Sequence, residues 1–387
     1  MLRKLRTNLL FLIVAAIALG IGCGLFMPHW VARIFVTFKA IFAQFLGFMI
    51  PLIIVGFVAP AIAQIGRSAG LMLAVTVIVA YIFTSMSGLF AFGVGEWVFP
   101  SLVGQRHVLD QSVSAELTPY FTVAMPPLMS VMTALVFAFV IGICMARLSA
   151  GALRRGLDEF RDCVQYVIVK AIIPLLPLYI LGIFMKMTIE GEVSSVLGAF
   201  AGIIGVIFAM HIILLLFQYA VAGVVSRRNP LRMLLTMMPA YFTALGTQSS
   251  AATIPVTLRQ AVKAGVKEDI AGFVVPLCAT IHMSGSAMKI VACALAVMIM
   301  EGMPWTTEMF AGFIMMLGIT IVAAPGVPGG AIMASLGLLG SILGFDAEKQ
   351  SLMIALYITM DSFGTACNVT GDGAIAHIIQ SIFRRKV

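Results

Sequence analysis

Between Tyr357 and Ala376 the chain reads YITMDSFGTACNVTGDGAIA. Inside this largely apolar run, Asp361, Thr365, Asn368 and Asp372 follow one another at spacings of 4, 3 and 4 residues. At 3.6 residues per turn the four side chains share one face of a helix. Two carboxylates with a hydroxyl and an amide between them are a ligand set for a small cation or for the ammonium of a polar solute. A carboxylate in hydrocarbon costs about 2.5 kcal/mol or more, so both acids need partners. The plainer reading is a polar seam between packed helices. The sharper reading is a buried site for cations and a small polar substrate.

The elements that must position this stripe are membrane helices. The chain has 387 residues, 61% hydrophobic and 10% charged, with a mean hydropathy of +1.10. A soluble protein carries roughly 25% charge, so soluble-enzyme and disordered classes are excluded. Most apolar stretches exceed the ~20 residues needed to cross a bilayer. Many of the 36 Gly and 16 Pro fall inside them, as broken or closely packed helices require. The formal charge of +8 comes from short basic clusters between apolar spans. These are orientation signals and not a nucleic-acid surface. Cys23, Cys144, Cys163, Cys278, Cys293 and Cys367 show no CxxC or Cys/His spacing and are expected as free thiols packed as small hydrophobes. The segment MLRKLR precedes a long apolar run with no convincing cleavage signal, so that run is expected as the first span.

The expected spans cover about Asn8–Met27, Phe38–Ile65 (with a kink at Pro51), Ala69–Val98, Tyr120–Ala146, Phe160–Met187, Val193–Val225, Ile270–Met300 and Lys349–Ile382. A polar connection with Arg106, Asp110 and Glu116 follows the third, and Pro126-Pro127 opens the fourth. Two stretches are irregular. Residues 230–267 hold two short apolar pieces around TQSSAATIP, Thr247–Pro255; residues 305–343 hold two around APGVPGG, Ala324–Gly330. The seventh span contains HMSGSAMK, His282–Lys289. Arg and Lys clusters alternate so that both termini fall on the cytoplasmic side of a plasma (inner) membrane. The two broken stretches then enter from opposite faces, each followed by a full helix. Gly/Pro-interrupted segments in matching positions point to an inverted repeat and a transporter site.

These residues resemble the dicarboxylate/amino acid:cation symporters, the glutamate transporters and their archaeal aspartate homologues, a fold that serves as a worked example of inverted repeats. The serine-rich tip is Ser249-Ser250-Ala251-Ala252-Thr253-Ile254-Pro255, and the second tip is Gly326-Val327-Pro328-Gly329. The family's interrupted helix, usually Asn-Met-Asp-Gly-Thr, is His282-Met283-Ser284-Gly285-Ser286. Asn-Val-Thr-Gly-Asp is intact as Asn368–Asp372, and Tyr-x-x-Thr-Ser is Tyr81–Ser85.

The resemblance implies an all-α membrane fold of about eight spans and two re-entrant hairpins, a homotrimer in lipid, and an elevator mechanism. It implies scaffold helices in residues 1–66 and 120–190, a third helix with its loop in 67–119, and a transport core in 191–387. Asp361 is expected to receive the substrate's amino group. Asn368 and Thr365 are expected to bind its main carboxylate and amino end, helped by Ser249, Ser250, Val327 and Gly329 at the two tips. Sodium ligands are expected among Tyr81, Thr84, Ser85, Cys278, Thr280, His282, Met283, Asn368 and Asp372.

Two departures shape the expected activity. Acidic-substrate members carry an arginine where Gly364 stands, and Gln248 replaces another. A buried carboxylate without a cationic partner is costly, so the expected substrate is a small neutral amino acid, such as alanine, serine or threonine. A dicarboxylate or acidic amino acid carrier of the same fold is the alternative, and an anion-conducting channel is the alternative of another class. An enzyme is not expected. His282 and Ser284 replace the Asn and Asp of one sodium site, which weakens it, because hard cations prefer charged oxygen ligands. His282 or Lys289 is then expected to supply a positive charge internally, so that fewer sodium ions, or protons, are coupled.

Overall fold

The computed structural model describes residues 9–67, 70–102, 117–148, 151–191, 193–322, 324 and 329–384. Among them every regular element is helical. The order is α1 Leu9–Phe26, α2 His29–Arg67, α3 Leu71–Leu102, α4 Val131–Arg147, α5 Gly151–Ile189 and α6 Val193–Ser226. There follow α7 Pro230–Thr247, α8 Ser250–Lys263, α9 Glu268–Ile281, α10 Ser284–Met300, α11 Thr307–Ile321, α12 Gly330–Ser341, α13 Ala347–Thr359 and α14 Asp361–Arg384. Among the described residues, five spans are long and apolar enough to cross a membrane (α2, α3, α5, α6 and the α9–α10 pair), and the bent α13–α14 pair makes a sixth. The first and fourth expected spans, α1 and α4, are shorter apolar helices of 18 and 17 residues.

Several boundaries move. Helix α2 starts at His29, directly after Pro28, and runs unbroken through Pro51 and Pro60. Helix α4 starts eleven residues later than expected, because residues 117–130 are not helical. Pro126-Pro127 disfavours helical dihedrals in the residue before each ring, and Ser130 then caps the helix by accepting the Thr133 N–H. Helix α5 starts at Gly151 with an amphipathic segment and contains a π turn at Ile168–Ile172. The final span is two helices that bend by 61° at Met360. Asp361 therefore begins α14, and the four polar residues remain on that one helix. The polar connection with Arg106, Asp110 and Glu116 lies outside the described residues.

Each irregular stretch holds two short helices, α7 and α8 in the first, α11 and α12 in the second. Asn229 caps α7 by accepting the Arg232 N–H, with Pro230 at its first turn. That helix ends on Gln248, a non-glycine residue in the left-handed region at φ 54°. Ser249 at once caps α8 by accepting the Ala252 N–H, so two adjacent residues close one helix and open the next. Thr306 caps α11 in the same way, and Gly329 (φ 75°) precedes α12.

Close helix approaches define two sets of neighbours. A Cβ on Gly24 would stand 2.6 Å from the Thr188 Cβ, and one on Gly142 would stand 2.9 Å from the Ala59 carbonyl. These contacts join α1 to α5 and α2 to α4 at small residues, as membrane helices pack. In the other set, α10 is buried along all of its 17 residues. A Cβ on Gly285 would meet the Gly364 carbonyl at 2.7 Å, so the start of α10 lies against α14. Hairpin arm α12 touches the first set: a Cβ on Gly337 would lie 2.7 Å from Val131 and 2.9 Å from Ile50.

An ionic cluster sits where α13 begins. Glu348 Oε1 lies 3.0 Å from both Lys39 of α2 and Lys186 of α5. Asp346 caps α13 through the N–H groups of Glu348 and Lys349. Burial works against ionisation of Asp346, but the Lys349 bonds outweigh it and hold its carboxyl below the usual carboxylate range.

Candidate functional site

The break at His282–Met283 and the bend at Met360 face each other, and each places a helix N-terminus at the core. Asn368 fills the first of these. Its Oδ1 accepts the N–H of Gly285 (2.7 Å) and of Ser286 (3.4 Å), and its Nδ2 donates to Ser286 Oγ at 3.1 Å. Tyr357 OH donates to the same Ser286 oxygen at 3.1 Å. Asn368 thus caps α10 across a helix interface, satisfying amide donors that the break leaves without partners. Its expected role at substrate and sodium rests on an amide that the protein already uses.

Asp361 is 4% exposed. Its Oδ2 accepts the N–H of Gly329, at the second hairpin tip, at 2.7 Å. Its Oδ1 accepts from Lys289 Nζ at 3.3 Å. The same ammonium donates to the Met360 carbonyl at 3.2 Å and lies 3.8 Å from the centroid of the Tyr357 ring. Lys289 is fully buried, so it does not reach for water from the end of a span. Its Cε and Nζ occupy the space that a Cβ on Gly364 would need. This corrects the premise drawn from Gly364: a cationic partner does stand beside Asp361, supplied by α10 and not by α14.

Asp372, 1% exposed, lies 2.9 Å through Oδ1 from His282 Nδ1. The other imidazole nitrogen lies 2.9 Å from Ser284 Oγ and 3.3 Å from Gln218 Nε2. The two residues that replace the family's Asn and Asp therefore contact each other, and the ring stands against the carboxylate where a cation is expected.

The remaining expected ligands divide. Thr84 Oγ1 accepts the Met283 N–H at 3.3 Å, and Cys278 is buried in the same region. Ser85 Oγ is buried without a hydrogen-bond partner among the described residues. Tyr81 turns the other way, donating to the Met315 carbonyl of α11 at 3.1 Å. Thr280 is exposed, and its hydroxyl bonds Leu277 O within its own helix. Thr365 is 7% exposed on the α14 face. Ser249 and Ser250 lie at the partly exposed first tip. Val327 lies outside the described residues.

Sequence reasoning missed Gln218, Ser87 and the second role of Ser286. Gln218 is a lone amide in the apolar run IILLLFQYAV, and a polar residue at membrane depth is itself a signal. Ser87 bridges the Thr84 and Ser284 carbonyl oxygens at 2.7 Å each. Nothing in its spacing distinguishes it from a packing serine.

Broken helices with a buried ionic core are the architecture of a multi-pass helical membrane protein. Residues 9–382 match the sodium:dicarboxylate symporter family, and the chain belongs to that family, whose members are transporters and not enzymes. Excitatory amino acid transporter 3 of Oryctolagus cuniculus is 30% identical over 269 residues, covering 67% of this chain and 50% of the relative. The Mus musculus protein of that name is 34% identical over 169 residues, 42% of this chain and 31% of the relative. Neutral amino acid transporter B(0) of Rattus norvegicus is 26% identical over 269 residues, 66% and 47% of the two chains. The chain thus spans about half or less of the length of the curated relatives it matches.

Proposed function

We propose that this protein is a cation-coupled secondary symporter of a small amino acid, with a small neutral amino acid as its substrate. The observation that carries the reading is the charge balance of the core. Asp361 is paired with Lys289 and Asp372 lies against the His282 ring, so opposite charges meet beside Asp361 and neither acid of the core is without a partner. A zwitterion suits such a site, because a buried net charge is the costly case. The helix N-termini at Gly329 and Ser250 favour the carboxylate end. Relatives named for excitatory and for neutral amino acids support an amino acid as cargo.

A second reading has its own observation. Lys289 fills the space beside Gly364, and an ammonium there favours an acidic amino acid. Uptake into proteoliposomes with a sodium gradient separates the two readings. Excess alanine, serine or threonine is expected to compete with the transported amino acid, and aspartate and glutamate only weakly. The reverse order establishes the acidic reading. Repeating the assay with sodium replaced by choline, and at two pH values, identifies the coupling cation as sodium or proton. Counterflow separates carrier from channel.

The proposed assembly is a homotrimer in the plasma (inner) membrane with both termini in the cytoplasm. The proposed motion slides the core, α3 with α6–α14, past a scaffold of α1, α2, α4 and α5. Glu348 ties the start of α13 to Lys39 and Lys186 of that scaffold, so the motion must break these contacts. Exposed ion pairs contribute about 0.2–1 kcal/mol each, so losing both with Glu348→Gln is expected to change the exchange rate by about two- to thirtyfold. Apparent substrate affinity should stay within about twofold. Equal rates in the two proteins count against a sliding interface at this position.

A further inference from the structure

We propose that Lys289 is a specificity-determining residue of the substrate site. In the empty site its ammonium holds the Asp361 carboxylate. When an amino acid enters, the solute's ammonium takes that place, and Lys289 turns to the solute's carboxylate. The proposal rests on the reading of Asp361 as the group that receives a substrate's amino group.

Three observations converge on it. Lys289 reaches Asp361 from another helix, at 3.3 Å, and among the described residues its other contacts are neutral, the Met360 carbonyl and the Tyr357 ring. Its terminal atoms stand in the space that the absent side chain of Gly364 leaves, so room for an ammonium is built into α14. The second oxygen of Asp361 accepts the Gly329 N–H where α12 begins, so the carboxylate is held from two helices besides its own. The aromatic face of Tyr357 keeps a favourable seat for the cation while its partner changes.

The physical consequence is an exchange of partners in which no ion is left alone. A buried charge that loses its partner is strongly disfavoured, and a zwitterion supplies both replacements at once. A carboxylate without an amine draws Lys289 away and leaves Asp361 unpaired. An amine without a carboxylate occupies Asp361 and strands Lys289. The site is therefore selective for solutes carrying both groups, over amine-free mono- and dicarboxylates and over amino amides.

The test is equilibrium binding to the purified full chain in detergent and saturating sodium chloride, by isothermal titration. The probes are L-alanine, L-aspartate, propionate, succinate and L-alaninamide. Wild type is expected to bind one of the amino acids at least about a hundredfold more tightly than its single-group counterparts. Lys289→Met leaves Asp361 unpaired, so the ratio of alaninamide to alanine affinity is expected to rise at least about tenfold. Asp361→Asn is expected to shift the ranking the opposite way, toward propionate or succinate. Lys289→Arg keeps the charge and is expected to keep the wild-type ranking. The paired variant Lys289→Met/Asp361→Asn strands neither charge, and is expected to elute and unfold like wild type while losing amino acid binding.

An unchanged ranking in Lys289→Met, a shift of both single variants in the same direction, or a lost ranking in Lys289→Arg overturns the role of Lys289 alone. Failure of wild type to bind any amino acid overturns the reading of Asp361, and this proposal with it.

Discussion

His282→Asn is expected to lower thermal stability sharply in sodium-free buffer and to regain much of the loss in sodium chloride. Asp372 is 1% exposed, and its Oδ1 faces the His282 ring at 2.9 Å. Removing one partner of a buried pair costs about 3–5 kcal/mol, because the other is left uncompensated. Asparagine keeps a carbonyl oxygen near the carboxylate and frees the space of the ring. With Thr84, Asn368 and Asp372 nearby, the pocket then has the oxygen donors that a hard cation prefers. A ligand at a hundredfold its Kd returns about 2.7 kcal/mol to the folded state. The measurement is thermal unfolding in detergent, in sodium chloride against choline chloride at equal ionic strength. The wild-type difference between the two salts is the reference. A variant as stable as wild type in choline, or one whose loss sodium does not reduce, rules out His282 as an internal stand-in for a cation.

Gly364→Arg is expected to abolish binding while Lys289 is present and to be tolerated when Lys289 is replaced by leucine. The first atom of any side chain at 364 overlaps the end of Lys289, and overpacking a buried site of this kind costs about 1–3 kcal/mol before charge is considered. A second cation beside the first adds like-charge repulsion where water cannot screen it. The single variant should therefore lose at least about a hundredfold in affinity, or fail to fold. The variant Gly364→Arg/Lys289→Leu moves one positive charge from α10 to α14 and withdraws the end of the Lys289 side chain from the space of the new Cβ. It is expected to recover binding and to rank aspartate and glutamate above alanine. Residues in contact give non-additive effects, and that non-additivity is the observable. If the single variant binds as well as the double one, positions 289 and 364 do not share one space.

The cores of both predictions were legible in the sequence to different degrees. Asp361, Thr365, Asn368 and Asp372 were found by spacing alone, because helical periodicity holds whatever surrounds the helix. The broken stretch at Thr247–Pro255 was legible because Pro and polar residues at membrane depth contradict an unbroken apolar helix, whereas the break at His282–Met283, inside the expected seventh span, was implied only by the family resemblance. The bend at Met360 was not: no proline or glycine marks it in YITMDSF, and it becomes visible only where the Gly329 N–H and Lys289 converge on Asp361. The starts of α2 and α4 were misplaced for a local reason, since apolar composition continues on both sides of the true boundary.

The sequence by itself determined that this is a helical membrane chain with two acids, a hydroxyl and an amide on one face of its last helix. Burial of unpaired polar groups in lipid admits few alternatives to that plan. Which charges meet was decided by the tertiary structure. Lys289 and Asp361 are far apart along the chain, as are His282 and Asp372, and helical periodicity is silent about pairs on different helices. Only the packing of α10 against α14, through the close approach of Gly285 to the Gly364 carbonyl, brings an ammonium to one carboxylate and an imidazole to the other.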